Sequence, residues 1–210
     1  MKRIMIIILA LTLLFCGCGS KNKMNTISGV SVDKANKNEE IDNIQEGMNI
    51  STLASYRVDK EFRSIKLTVE AYYEGDLVKT QQILEGSLED DDKESSGFIV
   101  MGVTMDEELI VIATEASGKN EMRMKLEDYF DNQDFEGGAM AMNSLIGDHA
   151  SIKVEDGVEH FVSILGINAD SSDSSISMPM THGTAVDKSE LSGTQYVLLL
   201  KCGFSTKSLS

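Results

Sequence analysis

Between residues 65 and 73 apolar and polar side chains alternate. Ile65, Leu67, Val69, Ala71 and Tyr73 are separated by Lys66, Thr68, Glu70 and Tyr72. A period of two sends the two sets to opposite faces of the backbone and predicts a half-buried β-strand. Glu74, Gly75 and Asp76 supply turn chemistry, so 77–84 is expected to return as the hairpin partner. Runs 98–105 and 109–114 flank an acidic turn at Asp106, Glu107 and Glu108, and 121–126 alternates again. Runs 151–154 and 158–165 are split by Glu155, Asp156 and Gly157, a hairpin signal. The chain closes with a near-continuous apolar run over 196–204, the composition of a strand buried on both faces. Short helices are expected at 41–48 and 185–191, and no long amphipathic helix is. The expectation is an all-β chain of about eight or nine strands folded as a β-sandwich. An Ig-like arrangement is the nearest named pattern, without the cysteine pair and core tryptophan of antibody domains.

The N-terminus obeys a different logic. Lys2 and Arg3 precede an apolar run over 4–15, about 12 residues against the roughly 20 that a membrane-spanning helix needs. A basic head, a short apolar segment and small residues near a cut site describe a secretory signal peptide. Residues 13–20 read LLFCGCGS. This stretch resembles the lipobox of bacterial lipoproteins, in which a small residue precedes an acylated cysteine. Cys18 follows Gly17, whereas cleavage before Cys16 would leave Phe15 at the cut, so Cys18 is the better match. Phe15 stands where the family carries leucine or valine. The resemblance implies loss of 1–17, a diacylglycerol thioether on Cys18, and attachment to the extracytoplasmic face of a bacterial membrane. One acyl chain holds a protein marginally and two hold it stably.

The domain plan is then a signal peptide at 1–17, lipidated Cys18 with a polar spacer through 48, and a β-sandwich domain over 49–210. The spacer is rich in Asn, Lys and Ser and has little apolar surface with which to offset the entropy of ordering. Lipobox, spacer and an acidic strand-rich domain ending in YVLLLKCGF resemble the layout of small surface lipoproteins of Firmicutes. That likeness is one of pattern and implies no activity.

The formal charge is −15, and removing Lys2 and Arg3 takes it to about −17, with 17 basic and 34 acidic residues left. So acidic a domain is repelled by phosphate backbones and anionic headgroups, and no Lys/Arg stripe is interleaved with aromatics. Nucleic acid is not an expected partner; a basic protein surface or a divalent cation suits the charge better. Once Cys16 departs and Cys18 is acylated, Cys202 is the remaining thiol, so no disulfide can close within one chain. Its apolar surroundings predict a buried small hydrophobe.

Three Met-x-Met pairs occur, at Met122/Met124, Met140/Met142 and Met178/Met180, the last followed by His182. Thioether sulfur is a soft ligand that favours Cu(I), which makes Met178, Met180 and His182 a candidate copper set. In a strand, residues i and i+2 share a face, so such pairs are also simply core methionines. Asn132, Asp134 and Glu136, followed by Gly137, resemble the start of a calcium loop, although the twelfth position is Asn143 rather than a bidentate glutamate. The acidic and serine-rich runs 89–92 and 170–175 read as solvated faces. His149, His160 and His182 are too scattered for a zinc motif, and His160 is expected opposite Phe161, near a surface. There is no His-Glu-x-x-His, Gly-x-Ser-x-Gly, phosphate loop or dinucleotide fingerprint. The expected function is therefore a lipid-anchored binding or interaction module without catalysis and without a resident cofactor, its partner a protein or cell-envelope component. Residues 129–149 and 168–193 are the candidate binding loops. Copper or calcium handling is the alternative.

Overall fold

A computed structural model describes residues 25–30, 43, 45–88, 94–115, 118–130, 135, 138–147, 150–169, 176, 188–191 and 193–209. Strands β1 (Thr26–Gly29), β2 (Ile50–Val58), β5 (Ser95–Val103), β6 (Glu108–Glu115), β7 (Gly118–Lys125) and β9 (Ser151–Lys153) form a six-stranded sheet in the order β7-β6-β5-β2-β1-β9. Strands β3 (Ser64–Tyr73), β4 (Asp76–Ser87), β8 (Ala139–Ser144), β10 (Glu159–Asn168) and β11 (Tyr196–Ser205) form a five-stranded sheet in the order β4-β3-β11-β10-β8. Every strand pairing among the described residues is antiparallel. The chain is an all-β sandwich of two packed sheets, with eleven strands among the described residues where eight or nine were expected. A 3-10 turn follows β7 at Leu126–Tyr129, and a one-turn helix α1, Lys188–Leu191, lies within the helix expected at 185–191.

Three apolar layers explain why the central strands carry so few polar residues. Between the sheets lies the main core, with Ile27, Leu67, Val69, Met101, Val111, Leu198, Cys202 and Phe204 fully or almost fully buried. A second cluster, Leu53, Val100, Ile110 and Ile112, sits on the outer face of the six-stranded sheet beneath Val30, Met48 and Phe98. A third, including Phe161, Ile164, Val197 and Leu199, sits on the outer face of the five-stranded sheet against Leu145 and Leu191. Strand β3 is consequently covered on both faces rather than half-buried. On its outer side Glu70 is buried because Lys201 on neighbouring β11 bonds to it, Tyr72 donates to it at 2.7 Å, and the Lys201 ammonium lies 4.7 Å from the Phe161 ring centre. Across the core, the Thr52 and Ser163 hydroxyls hydrogen-bond one sheet to the other.

Local turn chemistry places β4 beside β3. Glu74 and Gly75 both have positive φ, 49° and 85°, as a two-residue type I′ turn requires, and Tyr73 pairs with Asp76. Four expectations need correction. The spacer placed at 18–48 contributes a strand: β1 lies between β2 and β9 with Ile27 fully buried, and Asn25 is tied to Asp59 by bonds of 2.7 and 2.8 Å. A single deep isoleucine is enough when two neighbours satisfy both edges of a short strand. The turn at Glu155, Asp156 and Gly157 does not make a hairpin, since β9 and β10 belong to different sheets and the turn crosses between them. Residues 129–149, expected as a loop, contain β8. His160 is the fourth revision and is a matter of side rather than of strand. It does face away from Phe161, but Phe161 packs in the outer layer, so His160 points into the protein and is only 6% exposed.

Candidate functional site: an aromatic cleft

Three segments distant in sequence meet at one end of the five-stranded sheet. Tyr73 ends β3 and Tyr196 begins β11; the two are register partners, and their rings stand 5.1 Å apart. The Glu74 N–H donates to the Gln195 carbonyl at 2.8 Å, which locks the β3–β4 turn against the start of β11. The 3-10 turn after β7 delivers Tyr129 and Phe130. Phe135 forms the floor, meeting Phe130 edge-on at 5.8 Å and Tyr196 edge-on at 5.2 Å, while Phe130 meets Tyr196 at 4.9 Å. Such tilted and edge-to-face contacts are the favoured arrangements of aromatic rings.

The cleft that results is about 500 Å³ and is lined by Tyr73, Val78, Lys79, Asp128, Tyr129, Phe130 and Tyr196. This volume is within the range of small-molecule and side-chain pockets. Tyr129, Phe130 and Tyr196 are buried, whereas Tyr73 and Val78 are 39 and 51% exposed. A rigid aromatic floor therefore opens onto a rim of large apolar side chains. On that rim Lys79 donates to the Asp128 carbonyl at 2.8 Å and lies 5.0 Å from the Tyr129 ring centre. The Tyr129 hydroxyl donates to the Met124 sulfur at 3.4 Å. Burial pushes the Tyr129 phenol above its ordinary value, with Asp128 adding to the effect; burial does the same to Tyr196, helped by Tyr73 and Glu74. These phenols stay protonated at neutral pH, so they offer hydrogen bonds and ring faces rather than a nucleophile or a base.

Cys18, both proposed metal sets (Met178, Met180, His182 and Asn132, Asp134, Glu136), His149, and runs 89–92 and 170–175 lie outside the described residues. Among the described residues no three metal-ligating His, Cys, Asp or Glu side chains come together. Met124, Met140 and Met142 pack against the main core, as the core reading of Met-x-Met pairs requires, while Met122 is exposed at the β7 edge. Cys202 is a free, fully buried thiol, and burial followed by the charge of Glu159 raises its pKa well above the ordinary value. The cleft residues were not singled out from sequence. The available signals were the adjacent pairs Tyr72/Tyr73 and Tyr129/Phe130, and the cleft takes three of the five tyrosines of a chain without tryptophan.

No family model, no curated protein and no solved structure matches this chain.

Proposed function

We propose that this chain is a lipid-anchored, extracytoplasmic binding module that captures a protein partner at the cell envelope through the aromatic cleft, without catalysing a reaction. The lipobox at Cys18 supplies the anchor, and the polar stretch before β1 supplies reach. The observation that carries the reading is the exposure of Tyr73 and Val78 beside a buried aromatic floor. Aromatic anchors beside desolvated pockets dominate the energetics of protein interfaces, and the strands beneath hold these anchors rigid. The cleft also borders the first residues of β4, an edge strand of its sheet. An edge offers main-chain groups to an extended segment of a partner.

The test is photo-crosslinking on intact cells, with benzoylphenylalanine in place of Val78. The expected result is a discrete adduct to one protein that is lost when Tyr73→Ala is combined with the probe. An adduct insensitive to Tyr73→Ala, or none at all, overturns the cleft as the binding surface. In parallel, palmitate labelling that persists in Cys18→Ala would overturn the anchor while leaving the cleft reading intact.

A further inference from the structure

A second groove lies on the outer face of the six-stranded sheet, away from the aromatic cleft, and its chemistry is different. The β5–β6 ladder runs from Val103 opposite Leu109 to Ile99 opposite Ala113. One residue further on, side-chain bonds replace the ladder: the Phe98 N–H donates to the Thr114 hydroxyl at 2.8 Å, and the Tyr56 hydroxyl donates to the Thr114 carbonyl at 2.9 Å. Gly97 is obligatory in this arrangement, since a Cβ there would lie 1.8 Å from the Thr114 carbonyl oxygen. Beyond the end of the ladder lies a groove of about 470 Å³ with Phe98 among its lining residues.

Strand register arranges its lining. Thr26 is opposite Arg57, which is opposite Ser96; Ser28 is opposite Ser55, which is opposite Phe98. These six side chains project from alternate positions to one face of three neighbouring strands, in two rows spaced by roughly 4.8 Å per strand. One row is hydroxyl, guanidinium, hydroxyl, and the other is hydroxyl, hydroxyl, ring. Lys66, Lys125, Lys153 and Lys201 each pair with a carboxylate, whereas Arg57, exposed and in the groove, has no ion-pair partner among the described residues. Glu115 also borders the groove, but its Oε1 is directed toward β4, 3.7 Å from where a Cβ on Gly86 would stand.

We propose that this groove binds a carboxylate-bearing sugar. Arg57 presents a planar fork that matches one carboxylate in bidentate fashion, and a single cation matches a single negative charge. The serine and threonine hydroxyls both donate and accept, as a polyol demands. Phe98 offers an apolar face to the C–H side of a sugar ring. In a chain of net charge −15, an unpaired arginine ringed by hydroxyls is a local reversal of charge suited to an acidic ligand.

The experiment is an NMR titration of the full chain in detergent micelles at low salt, with glucuronate, glucose and inorganic phosphate as separate probes. Glucuronate is expected to saturate, glucose to bind at least tenfold more weakly, and Arg57→Gln to bring glucuronate down to the level of glucose. Ser55→Ala should weaken glucuronate severalfold, and Tyr73→Ala should leave it unchanged, which separates this site from the aromatic cleft. Both groove substitutions are at side chains outside the buried core, and unchanged backbone shifts elsewhere confirm the fold. Phosphate binding as tight as glucuronate overturns the sugar assignment. Absence of saturation, or an Arg57→Gln variant that binds as well as the parent, overturns the site itself.

Discussion

His160→Leu should make this protein more stable. His160 points into the sandwich from β10, opposite Cys202 on β11, and neither ring nitrogen has a hydrogen-bond partner among the described residues. A neutral imidazole has one N–H donor and one acceptor nitrogen, and leaving a buried polar group unmatched costs about 1–3 kcal/mol. Leucine is close to histidine in volume and removes both polar atoms, at a repacking cost of under about 1.5 kcal/mol. The net expectation is a gain of about 1–2 kcal/mol at pH 7.5, equivalent to a rise in Tm of roughly 2–8 °C for a domain of this size. The pH dependence provides a second handle. Desolvation lowers the pKa of His160 in the fold, with Glu155 opposing, so the native state keeps the ring neutral where the unfolded chain would protonate it. The unfolded state then binds more protons below about pH 6.5, the ordinary histidine value. Stability from this residue is fully present above that pH and is lost as pH falls toward the lower folded value, by up to about 1.4 kcal/mol per pH unit. Urea unfolding followed by circular dichroism at pH 7.5 and 5.5 reads both effects, and the gain from His160→Leu should be larger at pH 5.5. A variant at least 1 kcal/mol less stable than the parent at pH 7.5, or a gain that shrinks on acidification, would refute the reasoning.

Three further outcomes are expected. Gly97→Ala should destabilise by more than about 2 kcal/mol in the same assay, because its Cβ has no room beside the Thr114 carbonyl. Lys201→Met should cost about 1–3 kcal/mol by leaving the Glu70 carboxylate without its cation, and adding Glu70→Leu should recover most of the loss, since the cost is that of an unmatched charge; a double mutant no better than the single would contradict this. Thermal melts of the full chain with Cu(I) and with Ca²⁺, in separate samples, are expected to show no shift. A ligand at 100 times its Kd would add about 2.7 kcal/mol, and a copper shift abolished by Met178→Ala/Met180→Ala would replace the binding-module reading with metal handling.

What the sequence determined by itself was local. Alternation and turn chemistry identified β3 with β4 and β5 with β6, because a hairpin needs only neighbouring residues: positive-φ residues at Glu74 and Gly75, or a short acidic turn, flanked by apolar alternation. The apolar run of β11 announced a central strand, and in its sheet it is the third of five. Cys202 was legible as core for the same reason. Everything that depends on partners far along the chain was decided by tertiary structure. The short strand β1 carries a single large apolar residue and β8 shows no alternation of apolar and polar positions, so neither declares itself; β9 was expected as a strand, but beside β10 rather than β1. The turn at Glu155, Asp156 and Gly157 has the chemistry of a hairpin, yet which sheet receives each flanking strand depends on which edge is vacant. Whether His160 faces solvent or core likewise turns on what covers Phe161, a contact made with Leu145, Leu191 and their neighbours rather than with adjacent sequence. Both candidate sites belong to this second class. The cleft draws Tyr73, Tyr129, Phe130 and Tyr196 from three separate segments, and the groove sets Thr26, Arg57 and Ser96 in one row only because of strand register. Local periodicity specifies which way a side chain points from its own strand; it carries no information about which strand comes to lie beside it.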